Sequence, residues 1–171
     1  MNYKMEFINF VTGWPGSAHD SRMFDSSRIC GQFERQEVSG ILLGDNGYGC
    51  RHYLMTPLLR PQTPAEHNYN RCHKVTRGLV ERTFGIWKGK FHCLQKGLNL
   101  KPDTSITVIV ATAVLHNIAR RRNNQAFEDL LPAEQRDNHE PPPREVVANE
   151  QEIRDAPHGL AARRALIAQN F

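Results

Sequence analysis

The amino-acid sequence predicts a mixed α/β fold, and three observations lead to that class. Residues 41–44, Ile-Leu-Leu-Gly, form an uncharged run that ends at a turn signal, Asn46-Gly47, as is typical of a short buried strand. Apolar residues recur every three or four positions through residues 64–91 and 103–123, as they do in helices that pack on one side. The resulting order of strand, helix, strand, helix, helix is that of α/β domains.

The elements that flank this central part are shorter. Residues 7–11 alternate in part between apolar and polar side chains and predict a strand, which Trp14-Pro15-Gly16 would end. Residues 17–36 predict a helix with a break in it, and Ser17 is the candidate N-cap. Residues 157–171 predict a short amphipathic helix. Its candidate docking residues are Leu160, Ala165, Leu166 and Phe171.

The net charge of +4 conceals a division of charge along the 171 residues. Residues 125–155 hold nine acidic residues and three arginines, so they carry −6 while the remainder carries +10. Prolines in the acidic stretch indicate a solvated linker, which divides the chain into a domain at 1–123, a linker at 124–156 and the helix at 157–171. The basic remainder favours a polyanionic partner. No apolar run approaches the roughly 20 residues that span a bilayer, so we expect no membrane partner.

One predicted helix concentrates the positive charge. Residues 71–96 contain seven basic side chains and a single acidic one, Glu81. Spacings of three and four residues place Lys74, Arg77, Glu81 and Lys88 along one stripe of this helix. The simplest interpretation is an ion pair between Arg77 and Glu81, which are one helical turn apart.

Asp45 gives this stripe a second interpretation. A lone carboxylate at the end of a buried strand is costly unless it is paired or coordinated. Asp45 and Glu81 could share Mg²⁺ or Mn²⁺, because such cations prefer carboxylate oxygens, and we expect the two carboxylates within about 4 to 8 Å of each other. Paired ions of this kind activate water for phosphodiester cleavage. The candidate contacts to DNA phosphates are Lys74, Arg77, Arg82 and Lys88.

Five segments in a fixed order carry a family resemblance. They are WPGSAHDSRMF at 14–24, LLGDNGY at 42–48, YLMTPL at 53–58, HNYNRCHKVTRGLVERTFGIWKGKFHCL at 67–94 and VLHNI at 114–118. Together they resemble the DDE endonuclease domain of Harbinger-type transposases and of the Harbinger transposase-derived nucleases. The resemblance implies an RNase H-like fold, a divalent metal cation, DNA as substrate and a nuclear location, with the cytoplasm as the alternative. It also implies that the family's second acid is Asp45 and its third is Glu81.

The chain departs from the family pattern at its first acid. That acid lies on an early strand, and residues 1–171 contain no counterpart of this strand. We therefore expect an incomplete RNase H-like fold that lacks the first strand or strands of its sheet, and impaired cleavage. Asp20 of the His-Asp-Ser motif either joins the metal site or only stabilises the start of a helix.

Two functions from different classes follow from these residues. The first is a divalent-metal-dependent DNA endonuclease domain with Asp45 and Glu81 as its catalytic metal ligands. The alternative is a non-catalytic remnant of a domesticated transposase that binds DNA or protein through its basic surface. A protein partner could supply the DNA recognition that the family's N-terminal region normally provides. His116-Asn117, at the end of an apolar helix, is interpreted as a buried hydrogen-bonded pair.

Overall fold

A computed structural model describes residues 1–122 and 155–171, so most of the predicted linker at 124–156 lies outside the described residues. The elements follow one another as α1 Asp20–Asp25, α2 Arg28–Glu34, β1 Leu42–Leu43, β2 Leu54–Met55, α3 Pro64–Lys90, α4 Cys93–Lys96, α5 Pro102–Arg121 and α6 Pro157–Asn170. No helix within these two ranges is long and apolar enough to cross a membrane.

The described residues form a mixed, mainly helical architecture with one small sheet. Strands β1 and β2 pair in parallel, with Leu42 opposite Leu54 and Leu43 opposite Met55. The Leu42 amide donates to the Tyr53 carbonyl at 2.7 Å. This parallel pair carries the turn that contains Asp45, while the larger sheet of an RNase H-like fold stays a prediction.

Several predicted helices are confirmed, although their caps differ. The helix expected at 17–36 is broken into α1 and α2 at Ser26-Ser27, and its N-cap is His19 instead of the predicted Ser17. The 27-residue α3 begins at a capping box that the sequence displays as Thr-Pro-Ala-Glu at 63–66. The Glu66 side chain accepts from the Thr63 amide at 3.0 Å, and the Glu66 amide donates back to Thr63 Oγ1 at 3.2 Å.

The prediction of a strand at residues 7–11 is wrong. This segment pairs with side chains of α5 instead of a neighbouring strand. Phe7 donates its amide to Asn117 Oδ1 at 2.9 Å and accepts from Asn117 Nδ2 at 2.8 Å, while His116 Nε2 donates to the Met5 carbonyl at 2.9 Å. Both residues are hydrogen-bonded as predicted, and the predicted burial is confirmed for His116, which is 1% exposed, while Asn117 is half-buried. One asparagine amide satisfies both backbone groups of Phe7, which a β partner would otherwise do.

The described chain divides into two compact units, each with its own core. The first contains residues 1–14 and 78–122, and its centre is formed by Phe7, Trp87 and Ala113. The Phe7 and Trp87 rings meet edge to face with centroids 4.9 Å apart, a favourable geometry for aromatic pairs. This core holds the second half of α3 against α5.

His116 gives the first unit a predicted dependence on pH. Burial lowers the pKa of His116, and the hydrogen bond to Met5 opposes that shift. The unfolded chain, in which histidine has a pKa of about 6.5, therefore binds a proton more readily than the folded state, so stability falls as pH drops below that value. We expect the free energy of unfolding to fall by at most about 1.4 kcal/mol per pH unit for this histidine.

Urea unfolding at pH 7.5 and pH 5.5 checks this prediction. His116→Gln removes the titrating ring, so its stability should fall less between the two pH values than that of the unaltered protein. Burial lowers the pKa of His73 as well, so part of the pH dependence should remain in the variant. An unchanged pH dependence in His116→Gln would contradict the assignment.

The second unit contains residues 15–77 and 155–171. Its core is formed by Phe33, Tyr53 and Leu54, and the Phe33 and Tyr53 rings are stacked with centroids 4.9 Å apart. Helix α6 docks beside β2 through its buried residues Gly159, Arg163 and Ile167, which are spaced by four. The predicted docking residues are wrong in part, because Ala165 is exposed. The prediction for Phe171 is confirmed, since its ring meets the buried Tyr69 ring edge to face with centroids 5.8 Å apart. The predicted division into domains stays a prediction.

The docking of α6 depends on a buried ion pair. Arg163 Nη2 lies 3.5 Å from Asp155 Oδ2, and both side chains are less than 10% exposed. Arg163 Nη1 also donates to Thr56 Oγ1 at 3.0 Å, and Asp155 Oδ1 accepts from the Cys50 amide at 2.6 Å. The polar groups around this pair therefore have partners within the second unit, as a buried charge requires.

Candidate functional site

Asp45 lies in a tight turn that begins one residue after β1. Its Oδ1 accepts the Gly47 amide at 2.9 Å, and its carbonyl accepts the Tyr48 amide at 3.2 Å. This is the Asx turn that Asp and Asn favour. A Cβ at Gly44 would lie 3.1 Å from the Tyr48 ring, so glycine allows that ring to pack over the backbone. The turn fixes the carboxylate at one end of the parallel strand pair.

The second oxygen of Asp45 faces the basic helix. Asp45 Oδ2 lies 3.6 Å from Arg77 Nη2, and the two side chains are 44% and 32% exposed. The charge at the strand end is therefore balanced by α3 and still reached by water. The predicted Arg77–Glu81 ion pair is wrong, because Arg77 contacts Asp45 and Glu81 has no ion pair with any residue in the described ranges.

Asp45 and Asp20 both influence the pKa of the Tyr48 hydroxyl. Burial, together with the negative charges of Asp20 and Asp45, raises the pKa of Tyr48 to about 12, and Arg77 opposes this shift. Both carboxylates therefore act on one hydroxyl, which stays protonated at neutral pH. Asp20 is the first residue of α1. This position also suits the simpler interpretation, in which Asp20 only stabilises the start of the helix.

The remaining predicted residues lie along α3. Lys74, Glu81, Arg82 and Lys88 are all exposed, as a surface that binds phosphate requires. Lys88 Nζ lies 6.0 Å from the centroid of the Phe84 ring, a cation–π distance. The chain divides between Arg77 and Gly78, so Asp45 and Glu81 belong to different units, and the separation of their carboxylates stays a prediction.

The donor chemistry of this site fits a hard divalent cation. Asp45 and Asp20, both in the second unit, offer carboxylate oxygens, which Mg²⁺ and Mn²⁺ accept as ligands while they retain water. Glu81 offers the same kind of oxygen in the first unit. Within residues 1–122 and 155–171, no three His, Cys, Asp or Glu side chains are gathered closely enough to hold a metal ion. Asp45 is the candidate ligand whose orientation is best defined, since Gly47 fixes one of its oxygens.

Comparison with known proteins shows the family of the chain. The family model described as "DDE superfamily endonuclease" matches residues 1–117. The chain belongs to this family. The sequence is similar to the protein named "Putative nuclease HARBI1" in Homo sapiens, with 42% identity over 112 residues, which cover 63% of this chain and 32% of that protein. The Mus musculus protein of the same name is 40% identical over 125 residues, covering 71% and 36%.

A plant relative extends the comparison. "Protein ALP1-like" of Arabidopsis thaliana is 24% identical over 150 residues, covering 78% of this chain and 37% of that protein. The chain spans about a third of the length of the curated relatives that it matches. No solved structure matches. The predicted resemblance to Harbinger-derived DDE endonucleases is confirmed, and the coordination of a metal by this DDE endonuclease domain is a separate question.

Proposed function

We propose that this chain is part of a divalent-metal-dependent DNA endonuclease derived from a Harbinger transposase. The observation that carries the proposal is the Asp45 carboxylate, which the turn fixes at a strand end beside a basic helix in a DDE superfamily endonuclease domain. The proposed fold is RNase H-like and the proposed location is the nucleus. A protein partner would supply DNA recognition.

Each proposed residue has a separate role. Asp45 and Glu81 would hold Mg²⁺ or Mn²⁺, and Asp20 is a further candidate ligand because its charge acts on the same tyrosine as that of Asp45. The cation, when bound, would activate the water that attacks the phosphodiester. Four basic side chains of α3 would hold the DNA backbone: Lys74, Arg77, Arg82 and Lys88.

Metal binding tests the two ligands directly. We expect Asp45→Asn and Glu81→Gln each to weaken Mn²⁺ binding by about tenfold or more, because each removes a charged oxygen donor. Electron paramagnetic resonance of free Mn²⁺ measures this affinity without requiring activity. Asp103→Asn is the matched control, since Asp103 is an exposed acid in the first turn of α5. Equal losses in Asp103→Asn and Asp45→Asn would refute the assignment.

The salt dependence of DNA binding tests the basic face of α3. We expect Lys74→Ala combined with Lys88→Ala to reduce the slope of log affinity against log salt by up to about two units on duplex DNA, since each lost phosphate contact removes about 0.9. Fluorescence anisotropy with a short duplex at 50–200 mM salt, a range over which such contacts are measurable, gives the slope.

The matched control for this measurement is Lys4→Ala combined with Lys101→Ala. It removes the same charge from two exposed lysines outside α3, so it should leave most of the slope in place. If the two double variants have the same slope, net charge and not the face of α3 determines binding.

A second candidate function is a module that binds DNA or protein without cleavage. The observation that favours it is that the described ranges gather no group of three metal-binding side chains, whereas a two-ion nuclease site requires several carboxylates. Under this alternative the double lysine variant would still lose DNA affinity, but Asp45→Asn would leave Mn²⁺ binding unchanged.

A further inference from the structure

The two oxygens of the Asp45 carboxylate have partners of different kinds. Oδ1 accepts a neutral amide from Gly47 at 2.9 Å, within its own turn. Oδ2 faces the positive charge of Arg77 at 3.6 Å. The first contact fixes the orientation of the carboxylate, and the second compensates its charge. Only the second contact competes with a cation.

The contact with Arg77 is of a kind that exchanges easily. Its length of 3.6 Å exceeds the 2.7–2.9 Å of a charge-assisted hydrogen bond, so the attraction is electrostatic without a short bond. Both side chains are about a third or more exposed, so water screens the pair and its contribution is small. A divalent cation at Oδ2 would repel the guanidinium of Arg77. The cation would then compensate the negative charge of Asp45 in its place.

Other negative charges act close to this pair. Asp20, Asp25 and Asp45 all raise the pKa of the Tyr48 hydroxyl, and the positive charge of Arg77 opposes them. Without the Arg77 charge, this end of β1 would attract cations more strongly. Arg77 is also one of the four α3 side chains proposed to contact phosphate, and its planar fork suits phosphate oxygens.

We propose that Arg77 is an exchangeable counter-ion of Asp45, which a divalent cation displaces from Oδ2 so that the guanidinium becomes free to bind the DNA backbone. This inference rests on the proposed metal site at Asp45. Arg77 is then a positioning residue that keeps the Asp45 carboxylate compensated in the metal-free protein. Metal binding at Asp45 releases Arg77 for phosphate, and phosphate binding withdraws Arg77 from Asp45. Each event therefore favours the other.

Mn²⁺ affinity measured on the whole chain tests the exchange. Arg77→Ala and Arg77→Gln should each bind Mn²⁺ about two- to fivefold more tightly than the unaltered protein, which corresponds to the loss of one partly exposed ion pair. Arg71→Ala removes the same charge from an exposed position six residues earlier on α3 and should leave the affinity unchanged. Circular dichroism of every variant establishes that it is folded.

A second readout follows the guanidinium itself. The Nε–H resonance of Arg77 should move on saturation with Mg²⁺, and in Asp45→Asn it should occupy the displaced position with or without Mg²⁺. A resonance that Mg²⁺ leaves in place would overturn the exchange, because the guanidinium would then not have been released.

The outcomes separate this inference from the proposed metal site. If Asp45→Asn binds Mn²⁺ as tightly as the unaltered protein, the metal site at Asp45 fails and the exchange fails with it. If Asp45→Asn loses affinity but Arg77→Ala gains none, the exchange alone is refuted. An equal gain in Arg71→Ala and Arg77→Ala would also refute it, since net charge would then explain the change.

Discussion

Replacing Arg163 by alanine is expected to lower the free energy of unfolding by about 3–5 kcal/mol, because it leaves a buried charge without its partner. Arg163 is 7% exposed and lies between Asp155 and the backbone after β2. The variant would leave the Asp155 carboxylate almost excluded from water, with the Cys50 amide as its remaining hydrogen-bond donor. The Thr56 side chain would lose a donor at the same time.

Urea unfolding followed by circular dichroism measures this loss, and Arg164→Ala is its matched control. Arg164 is the exposed neighbour of Arg163 on the same helix, so its truncation should change stability by no more than about 0.5 kcal/mol. Replacing both charges, as Asp155→Asn with Arg163→Met, should recover part of the loss, since an uncharged pair needs no compensation. Similar losses in Arg163→Ala and Arg164→Ala would contradict the buried pair.

Gly159 supplies independent evidence on the same contact. A Cβ at this position would overlap the backbone of Cys50 and Arg51, which cannot yield as a flexible side chain can. Gly159→Ala should therefore displace α6 from β2 although it raises intrinsic helix propensity. Limited proteolysis of α6 in this variant and in Ala161→Gly, an exposed position on the same helix, distinguishes displacement from a change in propensity.

The polypeptide of residues 1–171 is expected to cleave DNA several orders of magnitude more slowly than a nuclease that has the complete set of acids. A two-ion arrangement requires further carboxylates to hold the second ion and orient the attacking water. The family resemblance implies that Asp45 and Glu81 are two of the family's three acids, and it implies no residue within 1–171 for the first. Loss of one member of a coupled catalytic set removes most of the rate, because its members act as a unit.

A plasmid-nicking assay with Mg²⁺ or Mn²⁺ measures this activity, and Glu81→Gln is the control that removes the third acid. Negligible nicking by both proteins, together with Mn²⁺ binding by the unaltered chain, is the expected result. Robust nicking that disappears in Glu81→Gln would show that another acid completes the site. Asp20→Asn would then identify it, because Asp20 and Asp45 act on the same tyrosine hydroxyl.

Local sequence signals were sufficient to predict the helices and to place Asp45 just after a strand. The periodicity of α3 and its proline at the first position predict a helix at 64–91, and the helix observed is Pro64–Lys90. The uncharged run before Asp45 predicts a buried strand, and β1 does end at Leu43. The predicted burial is wrong, because Ile41 and Leu43 are exposed. These features depend on spacing and on turn chemistry within a few residues, which a single sequence contains.

Partners distant in sequence were decided by the tertiary structure. Residues 7–11 have a strand-like alternation, yet Phe7 pairs with Asn117, 110 positions away. Val75 belongs to the predicted apolar face of α3 and is 71% exposed, whereas His73 is buried. Periodicity identifies which residues share a face, but burial depends on what packs against that face.

The ion pairs show most clearly that spacing along the chain does not determine tertiary partners. Sequence spacing pairs Arg77 with Glu81, and the predicted docking residues of the last helix do not include Arg163. The fold pairs Arg77 with Asp45 and buries Arg163 beside Asp155. An ion pair one helical turn apart is worth only about 0.2–0.5 kcal/mol, so a carboxylate brought close by tertiary packing readily replaces it. The sequence by itself determined that Asp45 follows a strand and that α3 is basic. Only the packing of α3 beside the turn decided which cation compensates Asp45, because that choice depends on distance in space and not along the chain.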